Sequence, residues 1–91
     1  MSTTDADAQR RIVNRLRRAR GQLEAVITAV EEGRSCRDVV TQLSAVSSAL
    51  DRAGFAIVST AMKDCVTDPA AAEARDGLTT EELEKLFMML A

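Results

Sequence analysis

Apolar residues recur along the first third of the chain at Ile12, Leu16, Ala19, Leu23, Val26 and Val30. The steps alternate between four and three residues, a sustained heptad seam that predicts an amphipathic helix over about residues 6–32. Asp5 or Asp7 suits its N-terminus, where an acid meets the positive end of the helix dipole, and Gly33 supplies a left-handed stop. A second stripe follows at once: Val39, Leu43, Val46, Leu50, Ala53, Ile57 and Ala61. Ser35 is placed to cap it, with Asp38 three residues on as a capping-box-like pair. Nothing breaks this stripe strongly before Asp68-Pro69, so the second helix is expected over about 36–66, weakened only slightly by Gly54. Residues 67–78 read as a linker. Thr79 then caps a third helix over about 80–90, with Glu82 completing a capping box and Leu83, Leu86, Phe87 and Leu90 forming its apolar face.

The pattern therefore predicts an all-α chain, residues 1–91, forming one domain with three helices. At 91 residues such a chain buries only about 60–65% of the surface its unfolded form exposes, which leaves a lone monomer marginal. A helix of about 30 residues in so short a chain argues for pairing with another copy. Ser44, Ala45, Ser47, Ser48, Ala49, Ala53, Gly54 and Ala56 would let a second helix approach closely. An antiparallel helical-bundle homodimer is the expectation.

The net charge of −2 conceals an asymmetry. Residues 10–20, RRIVNRLRRAR, carry six arginines and no acid, whereas the other 80 residues carry six basic and 14 acidic side chains, a balance of −8. A basic block in an acidic chain points to a polyanion partner; a merely solvated face is the bland alternative. Helical spacing divides the block, with Arg11, Arg15 and Arg18 on one face and Arg10, Arg17 and Arg20 nearer another. No apolar run approaches the roughly 18 residues of a membrane span, and residues 1–9 are polar and acidic, unlike a secretory leader. A cytoplasmic location without membrane contact is expected.

The chain has no histidine and two cysteines, Cys36 within GRSCRDVV and Cys65 within MKDC. In a reducing compartment two such thiols suit reactive or metal-binding work better than a structural disulfide. They stand 29 residues apart at opposite ends of the second helix, or about 43 Å at ~1.5 Å rise per residue. Within one straight helix they do not meet. In an antiparallel pair about a two-fold axis between Leu50 and Asp51, residue i lies near residue 101−i of the second copy. Cys36 then approaches Cys65 of that copy, twice per dimer. Cys36, in a first helical turn beside Arg34 and Arg37, is favoured as thiolate and as the attacking sulfur; Cys65, in a last turn beside Asp64, suits the resolving role. Two inert, buried cysteines are the bland alternative. With no histidine base and no phosphate-binding glycine loop, an enzyme is not expected.

The span from Arg10 to Val66 resembles the copper-sensitive operon repressor family, small all-helical bacterial transcription repressors. The resemblance rests on R-L-x-R-x-x-G-Q at Arg15 to Gln22, the Cys36 neighbourhood running into Thr41-Gln42-Leu43-Ser44-Ala45-Val46, Ala49-Leu50-Asp51, and Cys65-Val66. It implies a helical homodimer that associates into a homotetramer, with sensing cysteines meeting across the dimer. It also implies operator DNA as partner, contacted by Arg15 and Arg52, with Arg10, Arg11, Arg17, Arg18 and Arg20 available for phosphates.

The same resemblance narrows the signal. Copper-sensing members hold Cu(I) with a Cys, a His and a second Cys, and the matching positions here are Cys36, Ala61 and Cys65. Nickel and cobalt sensors need histidines. Formaldehyde sensors pair their cysteine with an N-terminal proline, whereas the proline here is Pro69. The subclass that keeps both cysteines and lacks the histidine is similar to the sulfurtransferase repressors, which sense persulfides and polysulfides. The chain is thus expected to be a repressor responsive to reactive sulfur species, working without a cofactor. The alternative is a Cu(I)-responsive repressor using the two thiolates, since soft sulfur ligands select Cu(I). Met62 is expected to point off the Cys65 face and to serve only packing.

Overall fold

The computed structural model describes residues 6–90, and of Asp76 only the backbone. Asp5, one of the two residues proposed to open the first helix, lies outside that range. The first helix, α1, spans Ala6–Glu31 with Asp7 in its first turn. Its end is closed at Gly33, which adopts φ 69°. The Gly33 N–H donates to the Val30 carbonyl at 3.1 Å and the Arg34 N–H to the Ala29 carbonyl at 3.0 Å. These two bonds form a Schellman turn, which satisfies carbonyls that a helix end otherwise leaves orphaned.

Ser35 opens α2, Cys36–Thr67, by accepting from the Asp38 N–H at 3.3 Å. This supplies one of the donors' missing partners at the helix start. α1 and α2 lie antiparallel: Arg15 and Gln22 at successive turns face Arg52 and Ala45, while Ala8 faces Lys63 and Thr67.

The stretch expected to be a linker is instead partly helical. α3 spans Pro69–Asp76, so the described residues hold four helices rather than three. Asp68 ends α2 and at the same time caps α3, its Oδ1 accepting from the Ala71 N–H at 3.1 Å. Proline at the first helical position costs no hydrogen bond, because that N–H has no partner in any helix. Three alanines carry the turn onward, and Gly77 at φ 64° ends it. α4, Thr80–Leu90, is capped by the Thr79 hydroxyl, which accepts from the Glu82 N–H at 3.2 Å. It runs back along α2: Leu83 packs near Cys65, Phe87 lies 5.7 Å from Phe55, and Leu90 sits against Gly54.

The two long seams divide between inside and outside. Ile12, Ala19 and Val26 of α1 and Val46 and Ala53 of α2 are buried, whereas Leu16, Leu23, Val30, Leu43 and Leu50 are 40–60% exposed. The inner set is mostly small, so the helices approach closely and leave the leucines on the outer face. The shape reflects this, with extents of 52 × 25 × 14 Å and a radius of gyration of 16.5 Å. A compact chain of this length has a radius nearer ~12 Å.

Ile12 is the largest fully buried side chain. Ile12→Ala is expected to cost about 2–5 kcal/mol through lost burial and the cavity left behind. It should lower the urea midpoint without changing the slope of the transition.

Candidate functional site

Residues 15, 18 and 22 follow helical steps of three and four, so Arg15, Arg18 and Gln22 share one face of α1. Opposite them on α2, Ala45, Ser48, Ala49 and Arg52 share another. Together these seven line a cleft of about 480 Å³. None of the lining residues is acidic. Arg15 is anchored across it, Nη1 donating to the Arg52 carbonyl at 3.5 Å. The small side chains Ala45, Ser48 and Ala49 form the floor, so three guanidiniums stand around an open space rather than over a packed surface.

The other arginines separate from this group. Arg11 lines a neighbouring cleft with Ser59, Thr60, Lys63, Asp64 and Thr67. Arg10 pairs with Asp7 at 3.5 Å on an exposed surface, where such a pair contributes little to stability. Arg17 and Arg20 are exposed and line neither cleft.

Gln22 was legible only as part of the motif beginning at Arg15. Its side chain lines the arginine cleft, yet its Oε1 is buried with no hydrogen-bond partner among the described residues. A buried polar atom without a partner is costly. The signal available in the sequence was its seven-residue spacing from Arg15, two turns along one helix face.

The two thiols occupy different surroundings. Cys36 is exposed at the first position of α2. Arg34, one of its flanking cations, pairs with Glu32 at 3.8 Å. Cys65 is 6% exposed and sits in a cluster with Val58, Ala72 and Leu83, with Ala61 and Leu78 packed against it. Its Sγ lies 3.9 Å from the Leu78 carbonyl, to which the thiol donates weakly. The 32-residue α2 carries the thiols at its two ends, and one chain does not bring them together.

Ala61 presents a methyl group to the cluster around Cys65, so the position between the two cysteines offers no third metal ligand. Met62 requires a correction. It lines an apolar cleft of about 380 Å³ together with Cys65, Val66, Leu83 and Phe87. The reason is the three-residue spacing, which brings Met62 and Cys65 to one helix face although it turns Met62 away from Ala61. The soft donors near Cys65 are its own thiol and the Met62 thioether, and the chain has no histidine. That set fits a soft ion such as Cu(I) and does not fit nickel or cobalt in a histidine site. Among the described residues no group of three or more His, Cys, Asp or Glu side chains is assembled for a metal.

Comparison with known proteins joins these features. The family described as "Metal-sensitive transcriptional repressor" matches residues 8–90. The copper-sensing transcriptional repressor CsoR of Mycobacterium ulcerans is 36% identical over 83 residues, 91% of this chain and 70% of that protein. The copper-sensing transcriptional repressor RicR of Mycobacterium tuberculosis is 42% identical over 53 residues, 58% of this chain and 55% of that protein. In structure, the nickel-responsive transcriptional regulator InrS matches with a TM-score of 0.72 at 34% identity, covering all of this chain and 98% of that one. The chain, with its antiparallel α1–α2 pair, its arginine-lined cleft and a thiol at each end of α2, belongs to the metal-sensitive transcriptional repressor family.

Proposed function

We propose that the chain is a DNA-binding repressor that releases its operator when persulfide or polysulfide joins Cys36 to Cys65 of a second copy. The observation that carries this reading is the placement of two free thiols at opposite ends of α2, with Ala61 between them where a metal ligand would be needed. An antiparallel dimer brings each Cys36 to a Cys65. The exposed leucine rows of α1 and α2 support such pairing, because burying them is the main favourable term open to so flat a chain. Association of two dimers into a tetramer extends the same reading.

The chemistry needs only an incoming persulfide. The Cys36 thiolate attacks the outer sulfur of R–S–S–H, giving Cys36–S–S–H and releasing R–S⁻. The thiolate of Cys65 from the second copy then attacks the Cys36 sulfur, forming a disulfide and expelling HS⁻. Longer polysulfides leave one or two further sulfurs in the bridge. The bridge links opposite ends of two α2 helices and favours whichever packing it fits. It weakens DNA binding by the difference in its stability between the bound and released states.

The DNA surface in this reading is the cleft of Arg15, Arg18 and Arg52, with Arg10, Arg11 and Arg17 beside it. A second reading, Cu(I) held by the two thiolates, is favoured by the likeness to copper-sensing repressors. Two-coordinate binding by soft sulfur suits that ion. When bound, the ion would supply the link between chains that sulfur supplies in the first reading.

Two outcomes are expected. Arg15→Ala and Arg52→Ala should each weaken operator binding and lower the slope of log affinity against log salt by about one; a binding constant indifferent to salt would count against this surface. Intact-mass measurement without reductant, after polysulfide treatment, should show dimers carrying extra sulfur and no longer holding DNA, while Cu(I) leaves the DNA bound. Release by Cu(I) alongside polysulfide-treated chains that stay unlinked would establish the second reading instead.

A further inference from the structure

Cys65 has the role of resolving sulfur in the function proposed above, yet it is among the best-hidden side chains of the molecule at 6% exposure. The cover is built by its own chain. Ala72 of α3, 2% exposed, and Leu83 of α4, 3% exposed, close over it, and Leu78 between the two helices packs beside them while its carbonyl faces the sulfur at 3.9 Å. Cys65 borders the apolar cleft beside Met62 and Phe87, but at 6% exposure it offers little sulfur surface for a displacement that needs the attacking sulfur in line with the bond it breaks.

The cover is attached at a few separable points. At its near end, Arg75 of α3 reaches Asp64 of α2 at 3.8 Å. In the middle, Phe87 packs on Phe55 with ring centroids 5.7 Å apart. At the far end, Leu90 rests on Gly54, where a side chain's first carbon would come within 3.2 Å of the leucine methyls. Outward of Leu83, the helix shows solvent Met88 and Met89, 66% and 79% exposed. A short helix whose one buried side chain among the described residues is Leu83, the rest of its apolar face being partly exposed, belongs to the part of a structure that opens locally at low cost.

We propose that α3 and α4 form a movable cover that masks Cys65, and that the thiol reacts only when this cover lifts from α2. The cover therefore sets a threshold: adventitious oxidants meet Cys36 alone, and the bridge between chains forms only when opening and an adjacent modified Cys36 coincide. The proposal rests on the resolving role given to Cys65, but masking itself is independent of which electrophile arrives.

Iodoacetamide separates the two questions because it contains no sulfane sulfur. Alkylation is followed by mass in Cys36→Ser, which leaves Cys65, and in Cys65→Ser, which leaves Cys36, each rate divided by that of the same thiol in urea. Cys65 should be slower by about tenfold or more. Leu83→Ala, which removes the buried side chain without altering charge, and Gly54→Val, which pushes Leu90 away some eleven residues from the thiol, should each raise the Cys65 rate several-fold. Both should leave the Cys36 rate and the helical circular dichroism unchanged. Equal protection of the two thiols would overturn the proposal, as would a Cys65 rate indifferent to Leu83→Ala. Acceleration by Leu83→Ala but not by Gly54→Val would overturn the motion of α4 as a unit. A masked Cys65 in a protein that polysulfide fails to bridge would defeat the sensing reading and leave the cover standing.

Discussion

Close contact between α1 and α2 governs the rest of the molecule. Ala19, Ala29, Ala49 and Ala53 line their common face, and side chains this small bring two helix backbones near one another without filling much volume. The larger residues of the same seams are left on the outside. A flat two-helix layer results, apolar on a face it does not cover itself and lined by arginines at the edge where the helices part. The arginine-lined cleft and the uncovered leucine rows are two results of one packing choice.

Most of the architecture is legible in the sequence because it is written in strong local signals. The four-three alternation from Ile12 to Val30, the glycine at 33 and the hydroxyls at 35 and 79 each correspond to a feature with a direct physical cause. The segment after α2 was misjudged for an equally physical reason. Asp68-Pro69 is a stop, but the same aspartate is also a cap and the same proline a permitted first helical residue. A breaker and a starter look alike when two helices meet without a loop. Met62 shares a face with Cys65 because three residues separate them, a relation that its neighbour Ala61 does not reveal. The burial of Cys65 depends on tertiary packing by Ala72 and Leu83, which no local pattern announces.

The chain also departs from what its relatives' names describe. Copper-sensing and nickel-responsive regulators share its fold, while this sequence holds no histidine at all. Helix α2 carries a sulfur at each end. The fold fixes where a signal is received; the side chains at those positions decide which chemistry counts as one.

The Schellman turn at Gly33 has a mechanical consequence. Between the last residue of α1, Glu31, and the first of α2, Cys36, there are only four residues, and three backbone hydrogen bonds, from Glu32, Gly33 and Arg34, pin them to the end of α1. Such a joint has no slack. The spacing between α1, which carries Arg15 and Arg18, and the start of α2, where Cys36 sits, is therefore set by a short hydrogen-bonded turn and not by a long loop.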